Sequence, residues 1–249
     1  MIDLHSHVLP GIDDGAENLD EAVAICQAAA ADGIIAIAAT PHVRSDYPTP
    51  PEAMAEGVRV LQAAVGNLLQ VLPGGELDAD ELDRPLEELI RFGLGGNPQC
   101  LLVEMPYTGW RVDLERRLFR LRSAGVIPVL AHPERNREVQ ARPERLEALV
   151  AAGVLVQLTA ASVDGRLGRR SEKCARHLLD RRLAHLMASD AHSPTVRAVG
   201  MTDAVRALDN PDLARWLTHD MPRAIVDGTE FPRSPQPPRR GRLIHRLRH

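Results

Sequence analysis

The chain has 249 residues, 44% hydrophobic and 26% charged, enough for one soluble domain of barrel size or two small ones, and incompatible with disorder throughout. No apolar run approaches the roughly 18–20 residues that span a bilayer, and the opening MIDLHSHVLPGIDDG lacks the basic start and apolar core of a signal peptide, so a cytoplasmic location is expected. The formal charge of −4 divides unevenly: residues 233–249 hold six of the 30 basic residues and no acid, leaving 24 basic against 34 acidic residues elsewhere, a body of −10 that argues against a nucleic-acid groove.

Short apolar runs recur along the chain at Ile2–Leu4, Ile34–Ala38, Leu69–Leu72, Cys100–Val103, Ile127–Leu130, Val154–Leu158 and Ala184–Met187. Their starts lie about 30 residues apart, the length of one strand, one helix and two loops. Between them, NLDEAVAICQAAAADG carries a cap at Asn18, an acid at the capping-box position, Glu21, and a terminating Gly33. LERRLFRLRSAG and RLEALVAAG close in the same way on Gly125 and Gly153. This alternation predicts an α/β fold with a parallel sheet, most economically a distorted seven-stranded (β/α)7 barrel in a single domain over residues 1–232. A doubly wound open sheet is the alternative, although no glycine-rich phosphate loop follows the first strand. The proline-rich RSDYPTPPEA reads as a mobile loop at the mouth of a site, and the Pro/Arg-rich stretch 233–249 as a disordered basic tail.

In a barrel of this kind the strand C-termini converge on one face, and here they carry the chemistry. His5 and His7 are two apart on the first strand and point to the same side, followed by Asp13 and Asp14 in the turn GIDDGA. The next three strands end in His42 of ATPH, Glu76 of PGGE and Glu104 of VEMP; the fifth delivers His132 in AHPERN, with Glu134 and Arg135 beside it. Asp190 and His192 in SDAHS repeat the spacing of His5 and His7. Any one of these could be an ordinary polar strand end, but a charged Glu behind three apolar residues is costly to bury without a cation. The set is too large for one ion and suits two or three ions sharing a carboxylate; without thiolates, manganese, iron or zinc fit best. Cys26, Cys100 and Cys174 read as buried hydrophobes. A nucleophilic-cysteine phosphatase is excluded, because the positions six residues after them are Asp32, Pro106 and Asp180, where that chemistry needs an arginine.

The ordered set DLHSHVLPGIDDGA, ATPH, GGEL, VEMP, AHPERN, QLTAAS and SDAHS, over roughly residues 1–225, resembles the polymerase and histidinol phosphatase (PHP) superfamily. Within it, the chain is most similar to the CpsB-like manganese-dependent protein-tyrosine phosphatases of bacterial capsule and exopolysaccharide operons. The resemblance implies a distorted seven-stranded barrel with three divalent ions, most commonly Mn2+. Carried over by motif, one ion would take His5, His7, Glu76 and Asp190; a second Glu76, Glu104 and His132; a third Asp14, His42 and His192. It also implies phosphate binding by Arg135 and Arg197 and attack on phosphotyrosine by a hydroxide bridging two ions. The partner it implies is the tyrosine-rich tail of an autokinase of polysaccharide export. Asp13 and Glu134 are candidate general acids between which the residues do not choose. Competing readings are a phosphoesterase for a small ester such as histidinol phosphate, a nuclease disfavoured by the acidic body, and a noncatalytic module of a polysaccharide assembly complex.

Overall fold

Aliphatic and β-branched runs form the strands of the computed structural model, which describes residues 1–235. The strands are β1 (Ile2–Ser6), β2 (Ala36–Ala39), β3 (His42–Arg44), β4 (Tyr47–Pro48), β5 (Gln70–Pro73), β6 (Glu76–Asp78), β7 (Cys100–Glu104), β8 (Ile127–Ala131), β9 (Leu155–Thr159) and β10 (Leu186–Ala188). All seven expected runs contain a strand.

The three additional strands have local causes. Pro41 has no N–H to donate and separates β2 from β3. Gly74 and Gly75 separate β5 from β6, and a Cβ on Gly75 would come within 2.7 Å of the Phe92 ring. β4 is the return arm of a hairpin, with Arg44 opposite Tyr47 and Val43 opposite Pro48. The segment RSDYPTPPEA therefore departs from the loop expected of it: it completes this hairpin and starts the helix Pro51–Val65, because proline fits a first helical turn that needs no N–H donor.

The strands lie in two ladders, ordered β1-β2-β5 and β10-β9-β8-β7-β6-β3-β4. Every pairing is parallel except that of β3 with β4. The ladders share the chain at β2–β3 and at β5–β6. They meet again where Ser6 bridges Ala191, with Asp190 N–H donating to the His5 carbonyl at 2.9 Å and His7 N–H to the Ala191 carbonyl at 2.8 Å. The result is a mixed α/β single-domain fold in which the C-terminal ends of β1, β7, β8 and β10 approach the first residues of β3 and β6.

Helices cover the strands with the ends the sequence marks. In Leu19–Ala31, the Asn18 side chain accepts from Glu21 N–H at 3.0 Å, while Glu21 reaches back to Glu17 N–H at 2.9 Å, one residue beyond the usual box partner. Gly33, at φ 86°, then turns the chain out of the helix. The core is aliphatic, with Leu101, Leu102 and Val103 of β7 and Val129 and Leu130 of β8 fully enclosed. Cys26, Cys100 and Cys174 are buried free thiols in that core, and burial pushes each up to about 12. Among the described residues no helix is long and apolar enough to cross a membrane. The basic tail lies almost wholly outside the described residues.

Candidate metal centre

All nine residues expected as ligands come to the same face. His5, His7, His42, Glu76, Glu104, His132, Asp190 and His192 are buried, and Asp14 stands at the exposed edge. Donor atoms within 4.8 Å of one another fall into four overlapping groups: His7, Asp14, His42 and His192; His5, His7 and Asp190; His5, Glu76 and His132; and His42, Glu76 and Glu104. The first two follow the motif-based sets closely, with His7 belonging to both. Glu76 lies at the overlap of the last two, where a bridging carboxylate would sit. Glu104 differs from its motif-based placement, grouping with His42 rather than with His132.

The backbone is bent to make this convergence. His132 at φ 37° and Asp190 at φ 54° are non-glycine residues in the left-handed region, a conformation that costs about 1–3 kcal/mol each and persists where surrounding structure enforces it. Asp190 is locked by the backbone bond to His5 described above. His132 N–H is held by the Gln157 carbonyl of β9 at 2.9 Å. The GIDDGA turn folds tightly back on β1: a Cβ on Gly15 would overlap the His7 carbonyl oxygen at 2.0 Å, so only glycine allows Asp13 and Asp14 to reach the site.

Outer residues orient the imidazoles. His5 Nδ1 lies 2.9 Å from Gln157 Oε1, and His7 Nδ1 lies 2.7 Å from Asp13 Oδ2. With the ring protons on these Nδ1 atoms, both Nε2 atoms face inward only 3.3 Å apart, a pair that a proton or a metal cation between them would satisfy. Asp13 also accepts from the backbone N–H groups of Gly15 and His42, both at 3.0 Å, so its carboxylate is fully committed to holding the loop and His7. Glu134, the other candidate acid, is enclosed and accepts from Thr159 N–H at 3.0 Å, tying the AHPERN loop to β9.

The electrostatics are those of a centre built for cations. Burial alone would raise Asp190 and Glu76, but the surrounding imidazoles and, for Asp190, Arg135 outweigh it and hold both well below the usual carboxylate range. Burial, reinforced by the charge of Glu76, pushes Glu104 up to about 7. Burial and the Arg135 charge push His132 down to about 4, while the pull of Asp14 and Glu76 overcomes burial to bring His42 up to about 9. Even so, His42 Nδ1, Glu76 Oε2 and His192 Nε2 are buried without a hydrogen-bond partner among the described residues. His42 Nδ1 and Glu76 Oε2 approach to 3.0 Å without hydrogen-bond alignment. Orphaned donor atoms of this kind are costly, and the nitrogen and oxygen set fits divalent cations.

Two arginines reach the cluster. Arg135 donates to Asp190 Oδ2 and, at 3.0 Å, to the Tyr107 hydroxyl; Arg197 donates to the same Asp190 oxygen at 3.1 Å and stands 3.7 Å from Asp14. Asn136 positions this rim by donating to the carbonyls of Pro106 and Gly109 at 2.6 and 2.9 Å while capping the helix Arg137–Ala141. Sequence reading missed Arg44, whose guanidinium lies 3.4 Å from Glu104 Oε2, and the roles of Gln157, Tyr47 and Tyr107. The residue pattern held one available signal, since Gln157 is the one polar side chain inside the otherwise apolar run Val154–Leu158.

An α/β chain that gathers five imidazoles and four carboxylates at its strand ends, with two guanidinium groups beside them, belongs by fold and donor set among proteins equipped for divalent cations and anionic ligands. The profile of the family described as "Capsular polysaccharide synthesis, CpsB/CapC" matches residues 1–225, and the chain belongs to that family. It is 33% identical to the tyrosine-protein phosphatase YwqE of Bacillus subtilis, over 98% of this chain and 99% of that one. It is 29% identical to the tyrosine-protein phosphatase CpsB of Streptococcus pneumoniae, over 91% and 98% respectively. A crystal structure from work on YwqE and CpsB, described as unique metal-dependent tyrosine phosphatases, superposes with a TM-score of 0.84 at 30% identity, covering 96% of this chain and all of the other.

Proposed function

We propose that this chain is a metal-dependent phosphoric monoester hydrolase that removes phosphate from phosphotyrosine on a protein, with the tail of a tyrosine autokinase regulating capsular or exopolysaccharide synthesis as its substrate. The observation that carries the reading is the convergence of nine nitrogen and oxygen donors, several of them orphaned, beside two arginines. His5, His7, Asp14, His42, Glu76, Glu104, His132, Asp190 and His192 hold three divalent ions, manganese in this reading. Bound there, such ions supply a water of lowered pKa and neutralise charge on a phosphoryl group.

The chain's own residues do the rest. Arg135 and Arg197 exchange part of their contact with Asp190 for the oxygens of an incoming phosphate, which their planar forks match. Asp13 and Gln157 keep the Nδ1 protons of His7 and His5 directed outward, leaving Nε2 free as a ligand. A phenol leaves with a pKa of about 10, which lessens the need for a general acid, and both candidate acids are already engaged in hydrogen bonds.

The same reading takes the two ladders as one distorted seven-stranded barrel, β2–β3 and β5–β6 each counting as one interrupted strand and the contact of β1 with Ala191 closing the ring. It sets the catalytic domain at residues 1–232, in keeping with the Trp216 indole donating to the Pro232 carbonyl at 2.9 Å, and leaves 233–249 as an appended basic tail in the cytoplasm.

The test is phosphate release from a phosphotyrosyl peptide, a phosphoseryl peptide and histidinol phosphate by metal-stripped protein with and without manganese. Manganese-dependent release from the phosphotyrosyl peptide is expected. Preference for histidinol phosphate would overturn the substrate, and no release from any of the three would overturn the activity.

A further inference from the structure

The chain contains only two tyrosines among its few aromatic residues, and both stand over the donor cluster. The Tyr47 ring, on the β3–β4 hairpin, is 5.9 Å from that of His42 at an interplanar angle of 21°. The Tyr107 ring, in the segment after β7, is 6.1 Å from that of His132 at 12°. His42 and His132 approach different oxygens of Glu76, each at 3.0 Å, so the two phenol rings mark two sides of the centre.

Each ring also carries a guanidinium group. Arg44 Cζ lies 5.1 Å from the Tyr47 centroid, and Arg135 Cζ lies 4.9 Å from the Tyr107 centroid. Neither tyrosine is a core residue: Tyr107 is 46% exposed and Tyr47 is half-buried. Exposed rings held at fixed tilt beside a charged centre offer aromatic surface to a ligand, while the core obtains its packing from aliphatic groups. Arg135 connects this surface to phosphate chemistry, since one guanidinium nitrogen meets the Tyr107 hydroxyl and another meets Asp190.

We infer that Tyr47 and Tyr107 receive the aromatic ring of the phosphate ester and give the site its preference for aryl over alkyl esters, a role that rests on the phosphatase reading above. A phosphate seated at Arg135 and Arg197 carries its ester group outward past Tyr107. A flat ring can lie against that phenol or against the Tyr47 phenol in offset or edge-to-face contact, whereas a serine or sugar carbon gains nothing comparable. The Tyr107 hydroxyl has a separate role as a positioning group for Arg135.

The experiment compares the binding of phenylphosphonate and methylphosphonate, neither of which is turned over, to manganese-loaded full-length protein by calorimetry. Wild type, Tyr47→Ala, Tyr107→Ala, the double alanine variant and Tyr107→Phe are compared, with melting temperature and metal content as controls for folding. Each alanine variant is expected to lose about 3- to 10-fold in phenyl-over-methyl preference, with methylphosphonate affinity unchanged within about 2-fold in Tyr47→Ala and, in Tyr107→Ala, lowered only as far as Tyr107→Phe lowers it by loss of the hydroxyl that positions Arg135. Tyr107→Phe keeps the ring and is expected to keep the preference. Unchanged preference in the alanine variants, or equal losses for both phosphonates, would overturn the inference while leaving the phosphatase reading intact. Wild type that binds neither phosphonate and releases no phosphate from a phosphotyrosyl peptide would remove both.

Discussion

The bodies of the strands and their C-terminal ends are adjacent stretches of the same chain with opposite physical character. Within β7, Leu101, Leu102 and Val103 are fully enclosed aliphatics in regular parallel pairing, and one residue later Glu104 is an almost equally buried carboxyl driven up to about 7. β8 runs through Val129 and Leu130 and is followed directly by His132 in the left-handed region; two residues past the end of β10 stands Asp190, also left-handed. The apolar bodies gain stability by removing surface from water, and the ends use part of it to hold charged groups and strained backbone together. Stability and function are thus separated along each strand, and substitutions one to three residues apart should have different consequences.

Asp190→Ala gives the sharpest contrast. It removes a carboxylate shared by His5, His7, Arg135 and Arg197, and is expected to lower manganese affinity and phosphate release by more than about 100-fold while the protein stays folded, as checked by elemental analysis and circular dichroism. Leu102→Ala should do the reverse. It empties a fully enclosed site in β7, and denaturant unfolding should show a loss of about 2–5 kcal/mol, with the metal content of the folded fraction unchanged. If Asp190→Ala unfolded the chain, or Leu102→Ala selectively released metal, the separation would not hold.

The smallest expected effect is a pH dependence. Burial and Glu76 raise Glu104 in the folded state from its ordinary value of 4.5 to about 7, so without cations its contribution to stability is present below about 4.5 and is lost as the pH rises through about 7. Metal-stripped wild type should therefore lose stability between pH 5 and pH 8, on the order of 1 kcal/mol more than Glu104→Gln does. Thermal melts of the two stripped proteins across that range check it. Manganese should favour the charged carboxylate and reverse the ranking at pH 8.

The same division explains what the residue pattern made legible. Strand bodies are written in runs of apolar residues, so all seven expected strands are present, and most ligand candidates could be read because they follow such a run within a few residues, Asp14 of the GIDDGA turn being the exception. The interruptions at Pro41 and at Gly74 and Gly75 were visible as residues, but that they split strands depends on packing partners such as Phe92, remote in sequence. The hairpin of Tyr47 was hidden in a proline-rich stretch whose composition favours a loop, because its register is set by pairing with β3, a short strand the apolar pattern did not mark. The neighbours that orient the ligands were the least legible. Gln157 looks like any polar residue in a buried strand until His5 Nδ1 is found 2.9 Å away, and the company Glu104 keeps with His42 and Arg44 depends on β7 and β3 flanking β6 in the sheet.

The most direct test of the central claim is a manganese titration of metal-stripped protein, with bound ions counted per chain and phosphate release from a phosphotyrosyl peptide measured at each step. Release should be absent at the start and rise with occupancy to a plateau near three ions, and Asp190→Ala should neither fill nor turn over. Full release from the stripped protein, or equal ion binding by Asp190→Ala, would contradict the claim that the strand ends form a working metal centre.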